Sequence, residues 1–129
     1  LSKIASGGEM SRMMLALKTV LADVDNIETF IFDEIDTGIS GVAAGSVAVK
    51  MRKMSKIHQI ICVTHLATIA ANADHNYFIS KSVENGKTFS NVKVLSEDET
   101  LTEIARISTG SVSKIALEHA MALRKSLVS

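Results

Sequence analysis

The chain has 129 residues, of which 47% are hydrophobic and 22% charged, a composition typical of a folded globular domain and not of a disordered segment. Its 14 basic and 14 acidic residues give a formal net charge of zero, which excludes a basic nucleic-acid arm or an acidic tail as a whole-chain feature. The single cysteine, Cys62, cannot form an intrachain disulfide, and its apolar neighbours predict a small buried hydrophobic residue. No apolar stretch reaches the ~18 residues that span a bilayer, and no signal peptide is recognisable. We therefore expect a reducing, cytoplasmic setting.

The first half of the chain predicts two helices alternating with two buried strands. Apolar residues at three- and four-residue spacing predict a helix over 8–23. Its predicted buried face consists of Met10, Met13, Met14, Leu17 and Leu21. Apolar, β-rich runs predict strands over 29–32 and 57–64, buried as in a parallel sheet. A loop over 34–41 and an Ala-rich helix over 42–55 connect them.

The second half predicts a β-hairpin between helices. A short helix over 66–73 comes first. Asn85-Gly86 then separates β-rich runs over 76–82 and 87–95, which is a strong hairpin signal, and we expect the hairpin at an edge of the sheet. The remaining predicted elements are a helix over 99–108 with acidic residues at its start, a break at 109–111, and an amphipathic helix over 112–127. The apolar residues predicted to share one side of this last helix are Ile115, Leu117, Ala120, Met121 and Leu123.

Two adjacent carboxylates, Asp33 and Glu34, directly follow the first predicted strand. Ligands of open α/β sheets bind at the carboxyl ends of the strands. At that position the first carboxylate can hold Mg²⁺, usually through water, and the second can orient and deprotonate an attacking water. Solvated acidic pairs after strands are also common, so this pair alone leaves both interpretations open.

Two further segments are able to contact phosphate. Ser6-Gly7-Gly8 begins a predicted helix, where glycines let the backbone approach an anion and free N–H groups favour it; an ordinary N-cap is the alternative. His65 follows the second predicted strand and can reach a phosphate oxygen there, or is an ordinary surface histidine. No other histidine has metal-ligand spacing with His65 or Cys62, so we expect no zinc site.

The order of these segments is more specific than any one of them. Ala5-Ser6-Gly7-Gly8-Glu9 resembles the signature motif of ATP-binding-cassette (ABC) ATPase heads, residues 29–34 resemble the Walker B strand with its catalytic glutamate, and His65 matches the switch histidine. The longer segments 6–12 and 32–41 resemble the bacterial RecN family, recombination-repair relatives of the structural-maintenance-of-chromosomes (SMC) proteins. Segments 62–66, 78–81 and 103–106 agree with this resemblance.

The resemblance implies an α/β fold: the P-loop NTPase-like C-terminal lobe of an ABC/SMC head, over residues 1–129, with a partly parallel sheet, an edge β-hairpin and C-terminal helices. It also implies a role for each motif. Asp33 would hold Mg²⁺ through water, Glu34 would polarise the attacking water, and His65 would sense the γ-phosphate. The residues implied to contact ATP held by an opposite head are Ser6, Gly7, Gly8 and Glu9. The implied partners are the protein's own P-loop half, a second such head and DNA, and no membrane is implied. The implied process is double-strand-break repair. The implied location is the bacterial cytoplasm, at the nucleoid.

The P-loop itself is missing, because no G-x-x-x-x-G-K-[ST] occurs in the sequence. Its lysine and backbone would hold the β- and γ-phosphates of ATP. The chain also begins at Leu1 and meets Gly7-Gly8 almost at once, so we expect a piece of a longer protein. We therefore predict an ATPase within the full-length protein, and a chain that alone binds ATP weakly and does not turn it over.

Three alternatives stay open. The first is an ABC-transporter ATPase half, which Ser40 at the usual aspartate position of the D-loop and the missing proline after Glu34 disfavour. The second is a non-catalytic dimerisation or interaction module whose carboxylates are structural. The third is a phospho-acceptor aspartate as in receiver domains, which lacks its expected acidic pair near the N-terminus. Ala67-Thr68 stands where the RecN family often has Pro-Gln, which leaves the local loop geometry open.

Overall fold

The computed structural model describes residues 6–21 and 26–128. In chain order its elements are α1 (Gly7–Leu21), β1 (Thr29–Phe32), α2 (Gly41–Met54), β2 (Gln59–Cys62), α3 (Ala67–Ala71), β3 (Tyr77–Glu84), β4 (Lys87–Val94), α4 (Glu97–Thr109) and α5 (Lys114–Val128). The predicted α/β fold class is confirmed, because helices alternate with a small parallel sheet and an antiparallel hairpin follows. None of the described helices is both long enough and apolar enough to cross a membrane.

β1 and β2 are parallel neighbours, and α2 is the crossover that parallel pairing requires. Phe30 pairs with Ile60 and Phe32 pairs with Cys62, so the two strands end at the same level. The Val63 N–H continues the ladder by donating to the Phe32 carbonyl at 3.0 Å. Residues that follow the two strands therefore meet at one edge of the sheet, and this edge carries the candidate site.

Only one face of the parallel sheet is covered within the described residues. Phe30 and Phe32 pack into a core with α1, α2 and α3. The other buried members of this core are Leu15, Ile35, Val47, Ala48, Met51, Met54 and Ile69. Ile31 on the opposite face is 70% exposed, so the expectation that this strand is buried on both faces is wrong for this part of the chain. Cys62, expected to be buried, is partly buried against the same core.

Helix α1 buries a different face from the one predicted. The predicted face, Met10, Met13, Met14, Leu17 and Leu21, is between 40% and 67% exposed. Gly8 and Leu15 are buried instead, and the intervening Ser11 and Arg12 face the loop after β1. The helical spacing is as predicted, but the buried face is not. Hydrogen bonds from Ser11 and Arg12, and not packing of the methionines, determine which face of α1 contacts the rest of the chain. The predicted helix end at 22–23 lies outside the described residues.

A second core joins α3, α4 and α5 through mostly small side chains: Ala70, Ala71, Ile104, Ala105, Ala116 and Ala120. In α5, Ile115 and Met121 are exposed, so the predicted apolar side is wrong at these two positions. Small residues make the contact because alanines let the helix backbones approach closely. Helix α4 begins two residues before the predicted start, and Gly110 (φ 76°) ends it at the predicted break.

The hairpin turn is as predicted. Asn85 (φ 51°) and Gly86 (φ 73°) both adopt the left-handed conformation that a two-residue type I′ turn requires. The register runs from Tyr77 opposite Val94 to Glu84 opposite Lys87. The hairpin pairs with neither β1 nor β2 among the described residues, so here it is a separate sheet and not an edge of the parallel one.

Candidate functional site

A shallow depression of about 180 Å³ opens at the carboxyl edge of the parallel sheet. Its walls are Asp33, Glu34, Asp36 and Thr37 after β1, and Val63, Thr64 and His65 after β2. Pockets that enclose an organic ligand start at ~300 Å³. The depression is therefore large enough for a phosphate group but not for a whole nucleotide. The described residues form at most one wall of a nucleotide site.

Asp36 joins the two sides of the depression. Its side chain is 2% exposed, and its Oδ2 accepts hydrogen bonds from Thr64 Oγ1 at 2.6 Å and from the His65 N–H at 2.8 Å. Burial alone would raise the pKa of Asp36, but these hydrogen bonds and the nearby His65 outweigh it, so the pKa lies below its ordinary value. Asp36 is thus held as a carboxylate under the edge of the site.

The same carboxylate orients His65. Its Nδ1 lies 3.1 Å from Asp36 Oδ2, while 72% of the side chain is exposed. Because an ionised carboxylate only accepts hydrogen bonds, Nδ1 carries the proton in this arrangement. Nε2 is then the nitrogen left to meet a ligand, and it can donate to a phosphate oxygen only when the imidazole is doubly protonated.

Glu34 is held in a strained backbone conformation. Its φ of 57° is left-handed, which costs a non-glycine residue about 1–2 kcal/mol. Asp33 Oδ1 accepts the Glu34 N–H at 2.9 Å, and the Glu34 carbonyl accepts the Thr37 N–H at 3.0 Å. These bonds fix a tight turn that keeps both carboxylates exposed at the sheet edge, and strain of this kind clusters at functional sites.

The two glycines of the predicted signature motif lie against Glu34 of the same chain. A Cβ on Gly7 would overlap Glu34 Oε2, and a Cβ on Gly8 would lie 2.7 Å from the Glu34 carbonyl oxygen. Close approach to the backbone carbonyl therefore requires glycine at position 8, whereas at position 7 the exposed Glu34 side chain can turn away. The structure brings Gly7, Gly8 and Glu34 together, a contact within one chain that the sequence did not predict.

Ser6 and Glu9 cap helix α1. The Ser6 N–H donates to Glu9 Oε2 at 2.8 Å and the Glu9 N–H donates to Ser6 Oγ at 3.3 Å, which is a reciprocal capping box. The backbone hydrogen bond from Ser6, followed by its hydroxyl, lowers the pKa of Glu9. Ser6 is thus an N-cap residue, which was the alternative interpretation. Any anion contact at this helix start would come from the neighbouring backbone N–H groups.

Helix α4 provides a comparison within the chain. Ser96 and Glu99 form the same capping box there. The two residues inside that box are Glu97 and Asp98, whereas α1 has Gly7 and Gly8. The box alone is therefore a helix cap and not a sign of anion binding. The glycines between its two residues leave the first turn of α1 free of the acidic pair that α4 places there.

Asp33 is the residue that best fits a magnesium ion. The described residues contain no group of three or more His, Cys, Asp or Glu side chains that could hold a metal by themselves. Mg²⁺ does not need such a group when phosphate oxygens and water supply most of its ligands. An exposed carboxylate beside the depression, anchored through one oxygen, fits that mode of binding.

Sequence reasoning missed four residues that build the site: Asp36, Thr64, Ser11 and Arg12. A usable signal for the first two was present, because Asp36 is a third acid in the loop after one strand and Thr64 follows its parallel neighbour. Ser11 and Arg12 donate to backbone carbonyls of the loop after β1. Only the three-dimensional contact reveals that role, since carbonyl acceptors leave no mark in a sequence.

Comparison with solved structures defines the class of protein. An SMC ATPase, solved in a study of ATP-driven dimerization and DNA-stimulated activation, matches with a TM-score of 0.58 and 28% sequence identity, over 81% of this chain and 63% of that chain. The described residues therefore have the fold of part of an SMC-type ATPase head, as predicted. No protein-family model matches the chain.

Within this class the similarity is to the DNA repair protein RecN. The chain is 51% identical over 124 residues to RecN of Deinococcus radiodurans and 44% identical over 126 residues to RecN of Bacillus subtilis. These matches cover 95% and 97% of this chain but 22% of each relative. The predicted resemblance to RecN is confirmed, and the chain spans about a fifth of the length of the curated relatives it matches.

Proposed function

We propose that this chain is the C-terminal part of the ATP-hydrolysing head of a RecN-like protein that acts in DNA double-strand-break repair. One observation supports this most. The residues after β1 and β2 that match Walker B and the switch histidine meet in a single depression, linked by the buried Asp36. The relatives named DNA repair protein RecN support the biological role.

The proposed site is composite, and the P-loop half of the same protein completes it. Parallel sheets are normally covered on both faces, yet Ile31, Ile61 and Val63 are exposed here. The apolar face of α1 defined by Met10, Met13 and Leu17 is exposed as well. Relatives about five times longer than this chain contain the additional segments that could cover these surfaces.

In this proposal each residue has one task at the sheet edge. Asp33 holds Mg²⁺, which neutralises phosphate charge when bound. Glu34 orients the attacking water and accepts its proton, because its carboxylate stands exposed at the end of β1. His65, its Nδ1 fixed by Asp36, donates from Nε2 to the γ-phosphate as an imidazolium.

A second proposed contact involves another head. The first turn of α1, at Ser6, Gly7, Gly8 and Glu9, would contact ATP held by an opposite copy. ATP would then close the pair of heads and hydrolysis would open it, coupled to holding DNA. The matched SMC ATPase, studied for ATP-driven dimerization and DNA-stimulated activation, supports this part of the proposal. We place the full-length protein in the bacterial cytoplasm, at the nucleoid.

Hydrogen exchange with and without Mg²⁺-ATP tests this function. The chain would be mixed with a separately made P-loop half. We expect nucleotide to slow amide exchange at residues 6–12 and 33–38, while the hairpin at 77–94 serves as the internal control. If the two halves associate and nucleotide changes neither segment, the non-catalytic interaction module is the better account. The complete capping box formed by Ser6 and Glu9 is the observation that favours that alternative.

A further inference from the structure

Side-chain hydrogen bonds fasten helix α1 to the loop that carries the acidic pair. Ser11 Oγ donates to the Asp33 carbonyl oxygen at 2.9 Å. Arg12 Nη1 donates to the carbonyl oxygens of Ile35 at 3.1 Å and Thr37 at 2.8 Å. Two adjacent residues of one helix therefore hold backbone carbonyls on both sides of Glu34.

The helix and the loop are packed too closely to move independently. A Cβ on Gly8 would lie 2.7 Å from the Glu34 carbonyl oxygen, 3.0 Å from Arg12 Nη1 and 3.1 Å from Thr37 Cβ. Two turns further along, Leu15 is fully buried in the same core as Ile35 of that loop. Because close-packed contacts of this kind leave no free volume, a shift of the start of α1 must also shift the loop.

We propose that Arg12 is a positioning residue that couples the first turn of α1 to Glu34 in the same chain. This inference deepens the proposed function and rests on it. Arg12 acts through the Ile35 and Thr37 carbonyls and so sets where the Glu34 backbone lies. A nucleotide of an opposite head that displaces the start of α1 would thereby change the position of the catalytic carboxylate.

The chemistry of arginine suits this task. Its long, planar guanidinium presents several N–H donors in a fixed arrangement and stays protonated at all working pH values. A lysine has a single rotating ammonium on a flexible stem, so it would hold the two carbonyls less rigidly. Arg12 Nη1 would lie 3.0 Å from a Cβ on Gly8, so the guanidinium stands beside the first turn of α1.

The test compares Arg12→Met with Arg106→Met in the chain associated with its P-loop half. Arg106 is an exposed arginine that pairs with Glu103. It belongs to helix α4 and not to the loops that form the sheet edge. We expect Arg12→Met to lower kcat for ATP at least about tenfold with KM changed less than about threefold, because positioning errors act on the transition state. Arg12→Lys should recover part of kcat, and Arg106→Met should change neither constant. An unchanged kcat in Arg12→Met, or a raised KM with unchanged kcat, would overturn the proposal.

Hydrogen exchange keeps this test separate from the proposed ATPase function. Without nucleotide, Arg12→Met should speed amide exchange at residues 33–38 at least about tenfold and leave helix α4 unchanged. A general rise in amide exchange in Arg12→Met would mean a folding defect. Arg12→Lys then becomes the deciding variant. Faster exchange at residues 33–38 with normal exchange in α4 of that variant supports the coupling. Unchanged exchange at 33–38 contradicts it. If the wild-type mixture hydrolyses no ATP, the proposed function fails, and this exchange result alone decides whether Arg12 holds the loop.

Discussion

At the scale of single residues, Asp36 contributes most to the arrangement of the site. Thr64 Oγ1, the His65 N–H and the His65 ring all converge on one of its oxygens. A buried carboxylate with several donors is strongly stabilised, whereas a buried donor without its acceptor carries its full desolvation cost. The position of His65 thus depends on a residue two places beyond the acidic pair in the sequence.

We predict that Asp36→Ala lowers the free energy of unfolding by about 1–3 kcal/mol, because the Thr64 hydroxyl and the His65 N–H lose their acceptor. Asp36→Asn should cost less, since its amide oxygen still accepts. Asp98→Ala, at an exposed helix start, serves as the control and should cost under about 1 kcal/mol. Urea unfolding at pH 7 measures all three. Equal losses in Asp36→Ala and Asp98→Ala would contradict the assigned role.

The stability difference between the wild type and Asp36→Asn should depend on pH. The pKa of Asp36 in the folded chain lies below its ordinary value of 3.8, so its charge stabilises the fold above that value. This contribution is lost as the pH falls through the lower, folded pKa. We therefore expect the difference measured at pH 7 to shrink below about pH 4. A stability difference that increases as the pH falls would contradict the lowered pKa of Asp36.

Cys62 should be unreactive in the folded chain. Burial, together with the charges of Asp36 and Asp33, raises the pKa of its thiol to about 12. At pH 8 almost none of it is thiolate, so we expect alkylation by iodoacetamide at least about 100-fold slower than for an unperturbed thiol. Unfolding in urea should restore the ordinary rate. Equal alkylation rates in the folded and unfolded chain would contradict the burial of the Cys62 thiol.

At the scale of elements, helix α1 shows why periodicity alone misplaces a face. The apolar spacing of α1 correctly predicts a helix, yet Ser11 and Arg12 face the chain and the methionines are exposed. A sequence pattern marks a face that needs cover but not which part of the protein provides it. Local signals such as Asn85-Gly86 and the acidic start of α4 were reliable because turn and cap chemistry is complete within a few residues.

Two helical glycines provide a matched test of the α1 contact. A Cβ on Gly8 meets the Glu34 carbonyl and Thr37, whereas a Cβ on Gly45 in α2 meets nothing within 4 Å. We predict that Gly8→Ala lowers the free energy of unfolding by about 1–3 kcal/mol. Gly45→Ala should raise it by about 0.5–1 kcal/mol through helix propensity. Thermal and urea unfolding measure both, and stabilisation of Gly8→Ala would contradict the close approach.

At the scale of the whole molecule, the order of motifs was more informative than any physical pattern. It predicted the fold class and the resemblance to RecN, both of which the comparisons support. Burial could not be predicted as well, because the sheet face at Ile31 and the methionine face of α1 are exposed in this part of the chain. We propose that segments of a longer protein cover these surfaces, and the sequence of this chain does not describe such segments.

We predict that the chain alone hydrolyses no ATP. Its depression of about 180 Å³ offers carboxylates and a histidine but no P-loop lysine. Phosphoryl transfer depends on positioning and charge neutralisation, so a site without its phosphate cradle lacks most of the required stabilisation. Phosphate release from the purified chain in Mg²⁺-ATP measures this. Steady turnover that Glu34→Gln abolishes would contradict the composite site.

We propose above all that Glu34 activates water in a site shared with a P-loop half. Steady-state hydrolysis of Mg²⁺-ATP by the chain mixed with that half, with Glu34→Gln and the exposed Glu84→Gln as paired variants, tests it most directly. We predict activity only in the mixture, a loss of at least about 100-fold in Glu34→Gln, and normal activity in Glu84→Gln. Equal activity in wild type and Glu34→Gln, or no activity although the halves associate, would contradict it.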